Sequence, residues 1–188
     1  MSMRTCGDCQ LCCRVLPIAE ISKAAGKRCG YQKFGVGCKV HGTPTQPQSC
    51  MAWSCWWLID PKFEAPRPDR AGYVVDMMAD FIVLGGDVFA GKRVPAIQVW
   101  ADPKRPDAWR ELLPWIKATA IGDAERAAVI RFNSRDAVVI LPPALSSTGD
   151  WAETDTRMLK PIETEQLRRK TAEDQLRKIE ERAREKEV

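Results

Sequence analysis

Histidine is nearly absent from this 188-residue chain, and cysteine is absent from everything after residue 55. A histidine base paired to Ser or Cys would have to be His41, which lies among cysteines, so an independent hydrolytic site is not expected. There is no P-loop, no Rossmann glycine fingerprint, no G-x-S-x-G and no H-E-x-x-H, so phosphoryl transfer has no cradle. No stretch approaches the ~18 consecutive apolar residues of a membrane span. The opening Met-Ser-Met-Arg-Thr-Cys lacks the apolar run of a secretory signal. These absences predict a cytoplasmic protein that does not enter a membrane. They leave open whether it is an enzyme, since no independent catalytic motif is present and no small-molecule substrate is indicated.

What the chain does have is cysteine, confined to its first third: Cys6, Cys9, Cys12, Cys13, Cys29, Cys38, Cys50 and Cys55. Cysteines used only as small core residues would be scattered, so this segregation marks a local thiolate site. In a reducing cytoplasm such a cluster favours metal ligation over a disulfide framework. Cys6, Cys9 and Cys12 repeat at three-residue spacing, which lets one tight loop wrap a polynuclear cluster, although Cys13 follows at once and spoils a ferredoxin signature. Cys-x2-Cys pairs also suit a closed four-thiolate zinc site. The side chains of adjacent cysteines are expected to diverge, so Cys13 would serve a second site or replace Cys12 in the first. Cys6, Cys9, Cys12, Cys13, Cys38 and Cys50 form the preferred ligand pool, with Cys29 and Cys55 as further candidates, in one centre or two. His41, three residues after Cys38, could ligate but is read as a loop residue beside the site.

Charge follows the same division. The net formal charge is +4, yet residues 1–59 alone hold Arg4, Arg14, Lys23, Lys27, Arg28, Lys33 and Lys39 against Asp8 and Glu20. Four thiolates around Zn2+, or around a cubane core of charge +2, leave about −2 per site, which these cations would offset. Charge compensation therefore explains the basic segment without nucleic acid, which is not expected as a partner. Trp53, Trp56 and Trp57 beside Cys50 and Cys55 are expected to pack, and by packing to exclude water from the site.

The predicted organisation is α+β: a loop-rich cysteine module over 1–59, a small domain with a mainly antiparallel sheet and one or two helices over 69–145, and a charged C-terminal helix over 160–188. A short helix is predicted within 15–25, and the proline-rich 60–68 reads as a linker. Strands are predicted at 73–78, 81–84 and 94–100, a helix over 107–119 interrupted by Pro114, and a hairpin from 127–132 and 137–141. Residues 163–188 carry eight charges of each sign and no Gly or Pro. Pairs such as Glu165/Arg169 and Glu173/Arg177 stand at i,i+4. The sparse stripe Leu176, Ile179, Ala183 is a candidate docking face for a protein partner or another copy.

The order Cys6-x2-Cys9-x2-Cys12-Cys13-Arg14, then Cys29, then Gly37-Cys38-Lys39-Val40-His41, then Cys50-x4-Cys55-Trp56-Trp57-Leu58 resembles the CxxCxxCC cysteine-cluster family, the zinc- or iron-chelating domain of bacterial YkgJ-like proteins. The resemblance covers residues 6–58. His41 stands where members often carry tyrosine, and Gln46-Pro47 replaces an Arg-Pro. Residues 94–109 are similar to the β-rich extension of some members. The resemblance implies metal chelation, commonly by an iron–sulfur cluster, without implying one reaction. Relatives linked to flagellin lysine methylation share the cysteine domain, but residues 60–188 present no methyl-donor site. The expected function is that of a metal-chelating protein, holding an iron–sulfur cluster (4Fe-4S) or Zn2+ in a structural, redox or electron-transfer role. The alternative is a zinc-stabilised assembly component that engages a protein through its C-terminal helix.

Overall fold

A computed structural model describes residues 4–76, 80–85, 89–121 and 125–155. The charged helix expected over 160–188 lies outside these residues, as does the Leu176/Ile179/Ala183 stripe. In chain order the helices are α1 (Leu11–Val15), α2 (Gln48–Ala52), α3 (Trp56–Ile59), α4 (Pro68–Ala71) and α5 (Leu113–Ala120), with 3-10 turns at Ala19–Ile21, Ala108–Leu112 and Pro143–Leu145. The strands are β1 (Gln32–Lys33), β2 (Gly37–Cys38), β3 (Tyr73–Val75), β4 (Asp80–Val83), β5 (Arg93–Ala101), β6 (Ala127–Arg131), β7 (Ala137–Leu141) and β8 (Ala152–Asp155). Among the described residues no helix is long and apolar enough to cross a membrane.

The fold is α+β with a mainly antiparallel sheet, as expected, to which one parallel pairing is added. A two-stranded antiparallel ribbon (β1, β2) accompanies a six-stranded mixed sheet of order β3-β5-β6-β7-β8, with β4 also on β5. β3 and β4 pair antiparallel with successive stretches of β5, Val75 opposite Val99 and Ile82 opposite Val94. β6 runs parallel to β5, with Val99 opposite Ile130. A parallel neighbour needs a long crossover, and the connection through Ala108–Leu112 and α5 supplies it. β7 and β8 complete the sheet in antiparallel sense.

Side chains alternate across the sheet with the two-residue period of a strand. Val99, Ala101, Ala128 and Ile130 face one layer, where Trp109, Leu112 and Ile116 cover them. Val94, Ala96, Ala127, Val129 and Val139 face the other, together with Leu145. At one end of that second face, Val74 and Trp100 are covered by Leu11, Val15, Ala25 and Cys55 of the cysteine-rich segment. Trp56 and Trp57 of the same segment also reach the helix-covered layer. The stretch 60–68 is therefore no free linker: Phe63 is buried and meets Trp115 edge-on at 4.9 Å between ring centroids.

Two local expectations need correction. The helix predicted within 15–25 is replaced by α1 and a 3-10 turn. Pro17 explains this, because it forces the residue before it out of the helical region, and Leu16 is extended with ψ 143°. Over 107–119 a 3-10 segment precedes α5, whose first turn holds Pro114, where a missing N–H costs nothing. Strand β8 has no counterpart in the sequence reading.

Ile130 is fully buried between β5 and β7, whereas Ile121 is 65% exposed after α5. Ile130→Ala should lower unfolding free energy by about 2–5 kcal/mol through lost burial and a residual cavity. Ile121→Ala should change it by less than ~0.5 kcal/mol. Urea unfolding of the two variants measures the contrast.

Candidate metal centre

Turns bring the cysteines towards one another. The Cys9 N–H donates to the Cys6 carbonyl at 2.9 Å, closing a turn through Gly7 at φ +52°. Leu11 and Val15 of α1 anchor in the core, which fixes Cys12 and Cys13 on the turn between them. Gln10 donates to the Lys33 carbonyl and accepts from Gln32, tying this turn to the β1–β2 ribbon. Gly37 has φ +121°, and a Cβ there would stand 3.3 Å from the Gly7 carbonyl oxygen. That close approach delivers Cys38 to the first loop. The Cys29 N–H donates to the Cys13 carbonyl at 3.1 Å. Ser49 on α2 donates its N–H and hydroxyl to Glu20, which positions Cys50 next to it. Cys55 is buried and forms a backbone bridge with Asp76, whose carboxylate also accepts the Trp53 indole N–H at 2.7 Å.

All eight cysteines are free thiols. The adjacent thiols of Cys12 and Cys13 act on each other's ionisation in opposite directions, chiefly through a side-chain hydrogen-bond contribution. That interaction lowers the Cys13 thiol to about 7, with Lys23 assisting against the opposing effect of burial. The same interaction pushes Cys12 well up, reinforced by burial and by Cys13, Cys9 and Cys6. Burial raises Cys50, which also lies in electrostatic range of Cys13, Cys29 and Cys38. Burial likewise raises Cys55, whose nearest thiol influence is Cys6. Burial pushes Cys9 up to about 11 against the lowering effect of the Leu11 and Asp69 backbone, and the Asp69 carboxyl is itself held down by Arg67.

Electrostatic influence ties Cys12 to Cys13, Cys9 and Cys6, and Cys50 to Cys13, Cys29 and Cys38, so Cys13 is common to both sets. Cys6 extends the first set to Cys55, and Cys9 and Cys55 stand on the side of α4 and the sheet. His41 is exposed in the turn after Cys38. Arg14 forms an ion pair with buried Asp102, and Arg28 reaches the Gln32 carbonyl at 3.5 Å. Arg67 and Asp69 are the neighbours that sequence reading missed. They fall in and just after the stretch taken for a linker, and no cysteine spacing points to them.

Among the described residues no group of three or more His, Cys, Asp or Glu side chains is arranged to hold a metal ion. In kind, however, the donors fit a thiophilic centre: soft sulfur ligands, free of disulfides, with cations beside them. Three buried N–H groups of the described residues have no acceptor: Arg14 Nε and Trp100 Nε1 beside the cysteines, and Trp109 Nε1 under the helix-covered face. Arg14 follows Cys13, and Trp100 shares an apolar cluster with Cys12 and Cys55. A buried donor left unpaired costs about 1–3 kcal/mol, and a sulfur-rich centre brings acceptors into that environment. Metal binding here requires the thiols to draw inward from the positions described.

In the metal-free, reduced protein Cys13 should be the fastest thiol to alkylate. Its rate should rise with pH as the thiolate forms and level off above about 7. Cys9, with its thiol at about 11, should stay slow throughout that range. Iodoacetamide labelling with peptide mass mapping checks both; equal rates at the two positions would contradict the assignment.

Compared with family models, with curated proteins and with solved structures, the chain finds no match.

Proposed function

We propose that the cysteine-rich segment chelates a thiophilic metal centre, an iron–sulfur cluster of the 4Fe-4S type or, failing that, Zn2+, in a structural, redox or electron-transfer role. What supports this reading is eight unoxidised cysteines on short turns of one segment, drawn together where Gly37 meets Gly7 and where the Cys29 N–H reaches the Cys13 carbonyl. Structural cysteines do not need such convergence, and disulfides do not use it here. The resemblance of residues 6–58 to the CxxCxxCC family supports the same chemistry, and the three-residue spacing of Cys6, Cys9 and Cys12 favours a polynuclear centre.

The protein's own contribution is electrostatic and steric. The Cys12–Cys13 interaction leaves one thiol of the pair easily ionised, so the first ligand is ready near neutral pH. Leu11, Val15, Trp53 and Trp57 pack around Cys12 and Cys55 and keep water from that side. Low polarity around thiolates strengthens the hold of any cation on them. When bound, a cluster would supply one-electron chemistry, and zinc a redox-inert crosslink.

Protein purified without oxygen should be brown, with broad visible absorption and acid-labile sulfide, if iron–sulfur is correct. Colourless protein with stoichiometric zinc would select the alternative. Either form should lose thermal stability on chelation, because a ligand held only by the folded state stabilises it. Protein with neither metal, and with no change in melting temperature on adding one, would overturn the proposal.

A further inference from the structure

We infer that the groove between residues 62–66 and the start of α5 is a binding site for a small organic ammonium ion with an apolar body, held by Glu64, Glu111 and the Tyr73 hydroxyl. The site is independent of the metal-chelating reading, since none of the residues lining it is a cysteine.

The groove has a volume of about 470 Å3, the size of a small-molecule site. Its walls come from three parts of the fold. Tyr73 opens β3, where it stands opposite Ala101 of β5. Glu111 lies near the end of the 3-10 segment Ala108–Leu112, and Trp115 follows four residues later in the first turn of α5. Residues so spaced are neighbours on a helical surface, and both line the groove. Phe63 closes the third side with its ring edge-on to Trp115. Arg4 fixes that stretch by donating to the Pro61 and Phe63 carbonyls at 3.1 and 3.0 Å. The walls are therefore in place before a ligand arrives.

The polar groups in this apolar lining decide what it suits. Tyr73 is only 4% exposed, yet among the described residues its hydroxyl has no hydrogen-bond partner. The oxygen is not sealed in the core, so it faces the groove that Tyr73 lines. A polar atom held open within an apolar groove is an orienting point for a ligand. Burial and Glu111 both push the Tyr73 phenol up, so it stays neutral near pH 7 and can accept as well as donate.

Glu64 and Glu111 are exposed, and among the described residues neither forms an ion pair. Other surface carboxylates are taken: Asp69 by Arg67, Glu125 by Lys92, Glu153 by Arg110. Lys62 also lines the groove, but two carboxylates against it leave the wall net negative. An anion is repelled there, and a neutral ligand leaves both carboxylates unused. An ammonium ion is attracted by the carboxylates and by the aromatic rings alike. Its N–H groups donate to Glu111 and to the Tyr73 oxygen, while its apolar body covers Phe63 and Trp115.

The test is calorimetric titration of the reduced full-length protein with phenethylammonium and hexylammonium. The neutral and anionic counterparts of the first are 2-phenylethanol and phenylacetate. Both ammonium ions should bind with dissociation constants in the millimolar range or below, 2-phenylethanol roughly tenfold more weakly, and phenylacetate more weakly still. Glu111→Gln should weaken phenethylammonium binding by about three- to tenfold and leave 2-phenylethanol unchanged. Tyr73→Phe keeps the ring in the core and should cost the ammonium ion a similar factor. Glu125→Gln, which alters a carboxylate outside the groove, should cost nothing. Urea unfolding checks the variants; Glu111 is exposed, so Glu111→Gln decides the matter if Tyr73→Phe does not fold. Equal affinity for phenethylammonium and 2-phenylethanol would mean an apolar groove without a cation site and would overturn the inference. Equal losses in Glu111→Gln and Glu125→Gln would mean general charge attraction and overturn it too, as would the absence of saturable binding by both ammonium ions.

Discussion

The cysteine-rich segment has no core of its own, and every feature of its thiols depends on borrowing one from the sheet. Its helices α1, α2 and α3 are five, five and four residues long, and its two strands are two residues each. Helices so short do not persist alone in water. What holds them is the seating of Leu11, Val15, Ala25 and Cys55 on Val74 and Trp100. Arg4 adds a second attachment. Its guanidinium donates to the carbonyls of Trp57, Asp60, Pro61 and Phe63 and lies 5.0 Å from the Trp57 ring centroid. The first and last parts of the segment are thereby closed onto each other, and the loops between them are short enough to bring sulfur near sulfur.

Charge in this segment is organised locally rather than as a sum. The excess of cations over 1–59 suggests a general positive field, yet the arginines are individually committed. Arg4 is spent on carbonyls, Arg14 on Asp102, and Arg67 from the next stretch on Asp8 and Asp69. These are bonds that shape the backbone. Lys23 alone among these four is buried, and among the described residues it has no carboxylate partner, so it stands apart in kind. A single interior charge weighs more than several solvated ones, because water screens the latter and not the former.

Much of the scaffold was legible because its strands are apolar runs ended by Gly, Pro or polar turns. Residues 73–75, 93–101, 127–131 and 137–141 behave as their composition suggests, and Asn133 closes the β6–β7 turn by accepting from the Arg135 and Asp136 N–H groups. β8, with the sequence Ala-Glu-Thr-Asp, was not legible: backbone pairing to β7 holds it, with little side-chain burial to leave a pattern. The parallel pairing of β5 and β6 was also hidden, since each strand alone looks the same in either sense. For the site, the cysteines announced themselves by number and spacing. Their grouping did not, because it follows from the approach of Gly37 to Gly7 and the hydrogen bond between Cys29 and Cys13, neither of which has a one-dimensional signal.

The backbone bridge between Cys55 and Asp76, with the Trp53 indole on the same carboxylate, has a mechanical consequence. It makes residue 55 a fixed post on the rigid scaffold, and Cys50 hangs from it by a tether of five residues. Even fully stretched, such a tether reaches about 17 Å, and the α2 turn shortens it. The Cys50 sulfur can travel only along an arc pivoting near Trp53, so the sheet sets the radius within which the last thiol can close on the others.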